Sequence, residues 1–161
     1  MGGGGGGPGY IGNVQSLIDK AKKELMAGEQ QGKRNVFLSF AYEDVTYVNL
    51  LRGQARNENV ALEFNDWSVS DPIDSARAAY IKQKIEDRIS QSSVTVVFLS
   101  DSTPRSPWVD WEIRRSIELG KHVLGVHPSG NNPQNLPKAF ADHKLLVVAW
   151  PQLAAAIEKL R

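Results

Sequence analysis

The six residues Val94-Thr95-Val96-Val97-Phe98-Leu99 constrain the fold most. They form a near-continuous apolar run, without the alternation of a half-exposed strand. The segment therefore reads as a strand covered on both faces, and such strands belong to parallel sheets. Shorter apolar runs at residues 36–40, 60–64, 123–126 and 145–149 read as four more strands. Segments with helical spacing lie between them. Glu43 and Asp44 lead into Val45, Val48 and Leu51; Ile81, Ile85 and Ile89 recur every four residues among charged side chains. Residues 108–119 form a helix closed by Gly120, and residues 154–160 a final one. Strands alternating with helices predict right-handed crossovers and a parallel sheet flanked on both faces. Ligands in such sheets bind beyond the carboxyl ends of the strands. The loops after Phe40, Phe64, Leu99 and Val126 are thus where a site is expected.

Composition narrows the function. A chain of 161 residues, 41% of them apolar, suits one ordinary core. With no cysteine, disulfides, thiolate metal sites and a cysteine nucleophile are excluded. Nineteen Lys and Arg against 18 Asp and Glu leave a net charge of +1, which argues against nucleic-acid binding by bulk charge. No stretch approaches the roughly 18 continuous apolar residues of a membrane span. The start lacks the basic and apolar regions of a signal peptide, and Gly6 replaces the Ser or Thr of a myristoylation signal. A cytoplasmic protein is expected, binding neither nucleic acid nor membrane. Residues 1–12 hold eight of the 14 glycines and read as a flexible leader. A phosphate-cradling loop there would need a preceding strand and a following Gly-Lys-Ser/Thr. Residues 13–32 read as an amphipathic helix and linker, capped by Asn13 and striped by Val14, Leu17, Ile18, Ala21 and Leu25. Residues 33–161 carry the α/β pattern.

The strand-end loops carry the chemistry. After the first strand come Ser39-Phe40-Ala41-Tyr42-Glu43-Asp44, which either line a crevice or, in the case of Asp44, cap the next helix. After the second come Asn65, Asp66 and Trp67, then Asp71, Asp74 and Ser75, in a loop over residues 65–74 and just beyond. An Asp-rich loop is commonly a solvated turn, but a tryptophan there packs beneath it or stacks on a ligand. After the third strand, Ser106-Pro107-Trp108-Val109-Asp110-Trp111-Glu112 opens a helix. Trp108 and Glu112 are four apart and share a face beside Val109, Ile113 and Ile117. A carboxyl desolvated next to an indole either has a raised pKa and meets a ligand, or pairs with a neighbour such as Arg115. His122, His127 and His143 lack metal-ligand spacing, no GxSxG marks a hydrolase elbow, and no GxGxxG follows the first strand. Lys20, Lys22 and Lys23 read as a solvated helix face.

Taken in order, these segments resemble TIR domains. The first box of that family is an apolar strand ending in Ser-Phe or Ser-His with an acidic residue after it, as in residues 35–44. Phe64-Asn65-Asp66-Trp67 stands where the family enters its BB loop; "IEDRISQSSVTVVFLS" (residues 85–100) resembles its helix, Ser pair and buried strand. Residues 106–112 resemble its Ser-x-Trp-x-x-x-Glu, and Trp150 its third-box aromatic, with Ala149 replacing the usual Phe. The loop over residues 68–79 departs from the Gly-Asp-Ser of plant and animal members, with Asp74-Ser75 in its place. The likeness covers about residues 33–161 and is nearest to bacterial TIR-like domains, including the signal-producing type of Thoeris anti-phage systems.

The resemblance implies a three-layer flavodoxin-like fold with a central five-stranded parallel sheet. It further implies cleavage of the nicotinamide–ribose bond of NAD+, which is substrate rather than resident cofactor, with no metal. Glu112 stands at the family's catalytic glutamate. Phe40, Tyr42, Asp44, Asp66, Trp67, Ser75, Trp108 and Trp111 stand at substrate-binding positions, Trp108 as a stacking partner for the nicotinamide. A second protomer's BB loop completes many sites of the family, so self-association on activation is expected. A TIR-like domain with little else attached suits a diffusible product, such as a cyclic ADP-ribose isomer, acting on a separate effector after a phage-derived trigger. A non-catalytic TIR adaptor and a nucleoside deoxyribosyltransferase-like enzyme are the alternatives.

Overall fold

The computed structural model describes residues 16–19, 34–58, 60–66 and 69–160. The chain divides into two units, Met1–Lys33 and Arg34–Arg161. In the first, residues 16–19 are helical, inside the helix expected from Asn13; the glycine leader and the rest of that helix lie outside the described residues.

In the second unit, five strands form one parallel sheet: β1 (Arg34–Ser39), β2 (Leu62–Asn65), β3 (Val94–Phe98), β4 (His122–His127) and β5 (Leu146–Ala149). Their order is β2-β1-β3-β4-β5, and every pairing is parallel. The helices are α1 (Val45–Asn57), α2 (Ala78–Gln91), α3 (Pro107–Glu118), α4 (Lys138–Asp142) and α5 (Leu153–Glu158). The five expected strands are present, with ends shifted by one or two residues. Helix α4 lies beyond the expected loop over residues 129–137 and was not anticipated; five residues are too few for a helical period to declare itself.

The side-chain period of two divides β1 between two cores. Val36, Leu38 and Phe40 join Val94, Val96, Phe98, Leu124 and Val126 beneath α1 and α5. On the opposite face Phe37 packs with Ile81, Ile85 and Ile89 of α2, while Val97 and Leu99 pack with Val109 and Ile113 of α3 and Phe140 of α4. The result is three layers, as the alternating pattern requires. All five residues of β3 are buried, in keeping with its near-continuous apolar run. Gly125 in β4 is fixed by close approach: an added Cβ would lie 2.6 Å from Leu99 Cδ1 and 2.6 Å from Phe140 Cε2. Gly120 ends α3 with φ +75°, a left-handed conformation that favours glycine. Among the described residues no helix is long and apolar enough to cross a membrane.

Candidate active site

Helix α3 begins where the sequence supplies a start. Ser106 Oγ accepts a hydrogen bond from the backbone N–H of Val109 (3.3 Å), Pro107 occupies the first turn, and Asp110 adds an acidic group near the positive helix end. The helix then buries Trp108, Val109, Glu112, Ile113 and Ser116 along one stripe. Glu112 therefore sits in an otherwise apolar face and is only 3% exposed.

A buried carboxyl needs a partner, and β1 provides it. Register pairs Ser39 with Val97, so that the last side chain of β1 on the α3 face is a hydroxyl. Ser39 Oγ donates to Glu112 Oε1 at 2.6 Å, and Ser39 is itself fully buried. Below it, Ser116 Oγ donates to the Glu112 carbonyl at 2.7 Å and lies 2.8 Å from Thr95 Oγ1. Burial drives the Glu112 pKa upward, the Ser39 hydrogen bond pulls it partly back, and the negative charge of Asp66 raises it again; the outcome is about 8. At that value Glu112 is mostly protonated at neutral pH. The expected alternative, pairing with Arg115, is not what forms. Arg115 instead holds Glu86 of α2 through Nε (3.0 Å) and Nη2 (2.9 Å).

Glu112 lines a cleft of about 450 Å³ at the carboxyl edge of the sheet. Phe40, Tyr42 and Trp108 line it with Glu112, so four of the expected site residues come together. Trp108 is buried, and its indole Nε1 donates to the carbonyl of Asp71 at 2.6 Å. This bond ties the loop after β2 to α3 across the cleft. Tyr42 is half-exposed at the rim. Glu43, Asp71 and Asp74 also line the cleft, against one cation among the described lining residues, Arg105, giving it a predominantly acidic wall.

The other expected residues stand elsewhere. Trp111 lines a neighbouring surface depression with Ile73 and Arg114; its ring meets Trp108 edge-on at 6.2 Å, and Lys82 Nζ lies 5.7 Å from its centroid. Asp44 lines a separate cavity. It makes no side-chain cap to α1, the role weighed for it from sequence. Instead its Oδ2 accepts from Ser100 Oγ at 2.5 Å. Burial raises its pKa, the Ser100 bond opposes this, and Glu43 and Asp101 add to the rise. Asp66 forms an ion pair with Arg52 at 2.6 Å and reaches Glu112 through its charge rather than as a cleft wall. Ser75 leads into α2, with its Oγ buried and without a hydrogen-bond partner among the described residues, and does not line the cleft. Trp67 lies outside the described residues.

Sequence reasoning set Ser39 in a crevice-lining segment without a specific partner and did not single out Arg105. Ser39 stood in view as the serine ending the first apolar run; only the sheet register shows that it meets Glu112. Arg105 carried no local signal.

Comparison with known proteins places the chain in a family. A protein of Bacillus cereus (strain MSX-D12) named "Putative cyclic ADP-D-ribose synthase ThsB1" is 32% identical over 99 residues, covering 58% of this chain and 51% of that protein. The match thus spans about half the relative's length. A 2-deoxyribosyltransferase from Bacillus psychrosaccharolyticus superimposes with a TM-score of 0.54 at 15% identity, covering 74% of this chain and 90% of that one, a likeness of fold alone. The family model described as "Thoeris protein ThsB, TIR-like domain" matches residues 37–133, a span containing Phe40, Tyr42, Trp108 and Glu112. With more than half its length matched, the chain belongs to the Thoeris ThsB TIR-like domain family.

Proposed function

We propose that this chain cleaves the nicotinamide–ribose bond of NAD+ and closes the ADP-ribosyl group into a cyclic nucleotide that signals to a separate effector in anti-phage defence. The observation that carries the reading is Glu112, a buried carboxyl hydrogen-bonded to Ser39 in the wall of an acidic cleft. The chemistry asks for such a group. As the C–N bond breaks, its electron pair goes to the pyridinium nitrogen and nicotinamide leaves neutral, so no general acid is needed. Positive charge then develops on the ribose. A preorganised carboxylate in a desolvated site stabilises it strongly and can also accept from the ribose hydroxyls. A nucleophile of the same ADP-ribosyl group completes the ring; water completes hydrolysis instead.

Charge also favours the substrate. The cationic nicotinamide ring entering a cleft walled by Glu43, Asp71 and Asp74 lowers the energy of the ionised Glu112, so binding drives off the proton held at rest. Trp108 and Tyr42 offer aromatic surface to the same ring. NAD+ acts as substrate, with no permanently bound cofactor. Activation by a phage-derived trigger and association with further copies of the chain, the loop after β2 meeting the neighbour's site, belong to the same reading.

The test is NAD+ turnover by mass spectrometry in cells expressing the wild type or Glu112→Gln, with and without phage challenge. Nicotinamide release with a new cyclic ADP-ribose product, absent in the variant, is expected. Linear ADP-ribose alone would refute the cyclase step. Unchanged NAD+ in triggered cells containing folded protein would refute catalysis and favour a non-catalytic TIR adaptor.

A further inference from the structure

A second cleft, also about 450 Å³, opens on the same edge of the sheet. It lies beyond the carboxyl ends of β3 and β4, between the start of α1 and the loop after β4. Its floor is Phe98 and Leu99, and its walls include Asp44, Tyr47, Ser100 and Ser102. The β4 loop adds three side-chain amides, Asn131, Asn132 and Gln134.

The lining defines a ligand. Tyr47 is 45% exposed and lies over Phe98 with ring centroids 5.6 Å apart, so its ring forms a supported aromatic wall. The Asp44 carboxylate is held by Ser100 Oγ. Ser100 is fixed in turn by its backbone N–H donating to Thr103 Oγ1 at 2.8 Å, and Thr103 Oγ1 donates to the Phe98 carbonyl at 2.9 Å. A fixed carboxylate beside hydroxyls suits a pair of vicinal ligand hydroxyls. Amides that both donate and accept suit the polar edge of a base. Among the described residues no cation lines the cleft, and Asp44 and Asp101 both do, so a phosphate is disfavoured there. Flat ring, vicinal diol and no charge together describe a neutral ribonucleoside.

The two clefts are neighbours through two 3₁₀ turns. In Tyr42–Asp44, Tyr42 and Glu43 line the Glu112 cleft while Asp44 lines the second. At Thr103–Arg105, Ser102 before the turn lines the second cleft and Arg105 at its end lines the first. Arg105 lines the Glu112 cleft only, three residues on from Ser102 of the second cleft, and is exposed. The sheet order changes direction between β1 and β3, and ligands of doubly wound sheets bind across that crevice. We propose that the second cleft binds the adenosine half of the dinucleotide whose nicotinamide riboside half enters the Glu112 cleft, with Arg105 meeting the diphosphate between them. One chain then holds both ends of its substrate. The assignment of the partner half rests on the NAD+ reading above.

The test uses the full chain and two separate probes, adenosine and nicotinamide riboside, titrated while backbone amide shifts are followed by NMR. Adenosine is expected to shift amides at residues 100–103 and 131–134. Its affinity should fall by about tenfold in Tyr47→Ala, the loss expected for a base–aromatic stack. Asn132→Trp, an exposed loop change that fills the cleft, should do the same. Nicotinamide riboside binding should be unchanged in both variants, and adenosine binding unchanged in Glu112→Gln. Adenosine binding that survives both cleft variants, or no binding at millimolar adenosine, overturns the proposal. Adenosine bound in the second cleft with no nicotinamide riboside bound supports the cleft and refutes the NAD+ reading of the first.

Discussion

Replacing Glu112 by Gln separates the cost of this carboxyl from its use. In the unfolded chain Glu112 titrates near the ordinary value of 4.5, and in the folded chain near 8. Between those values the folded state holds a proton that the unfolded chain has released. Stability therefore falls as pH rises across this window and levels off above 8, the opposite of a salt-bridged carboxylate. One pH unit in the window is worth about 1.4 kcal/mol, so from pH 4.5 to 7 wild type loses about 3 kcal/mol relative to a side chain that does not titrate. That is a large part of a typical domain stability of about 5–15 kcal/mol. Gln keeps an oxygen to accept from Ser39 and adds an amide whose effect does not vary with pH. The difference between the two proteins should thus change with pH whatever its absolute offset. Urea unfolding at half-unit steps from pH 4.5 to 8.5 measures it. The Gln variant is expected to gain about 3 kcal/mol on wild type between pH 4.5 and 7, about 10 °C in Tm. Parallel curves for the two proteins would refute the claim that burial keeps Glu112 protonated.

Activity should show the same titration with the opposite benefit. On the proposed reading the carboxylate is the working form, so kcat/KM for NAD+ should rise about tenfold per pH unit below about 8 and flatten above it. A pH-independent kcat/KM from 6 to 9 would count against Glu112. Ser39→Ala removes the bond that favours the ionised carboxyl, so this profile should move to higher pH and activity at pH 7 should fall by about tenfold or more. Trp108→Phe keeps a ring but loses the bond to the Asp71 carbonyl; KM for NAD+ should rise, with a stability loss of about 1 kcal/mol by urea unfolding. Gly125→Ala forces a Cβ to 2.6 Å from Leu99 and Phe140, and should destabilise by about 1–3 kcal/mol, read as an earlier urea midpoint.

The strands were legible because burial on both faces leaves an apolar run that needs no tertiary knowledge, as residues 94–99 illustrate. The site was legible residue by residue but not as a constellation. Ser39 and Glu112 are separated by 73 positions, and their meeting depends on the register of β1 against β3 and the rotation of α3. Rotation also divides the tryptophans. Three residues along an α-helix stop about 60° short of a full turn, enough to put Trp108 in the cleft and Trp111 on the next surface. The same step turns Arg115 toward Glu86 and leaves Glu112 to the serine. In the tighter turn after β1 successive side chains diverge by about 120°. Tyr42 and Asp44, only two residues apart, consequently face different clefts.

Glu112 departs from the rule that the core stripe of a helix is apolar, and the departure follows one physical logic. Exposed to water, a carboxylate would stabilise a developing oxocarbenium weakly, because the solvent screens it. Buried and alone, it would be too costly to ionise. Placed under an acidic rim, with one hydroxyl donor, it rests neutral, and on the proposed reading it ionises when a cationic ring enters the cleft. Asp66 raises its pKa from a position already ion-paired to Arg52, whereas Ser39 lowers it by direct donation. The balance of those two effects sets how much positive charge the ligand must bring. On the proposed reading, the pyridinium of NAD+ supplies that charge before the bond breaks and gives it up as nicotinamide leaves. The carboxylate is then left facing the charge on the ribose, and the group that recognised the oxidised ring becomes the group that stabilises its departure.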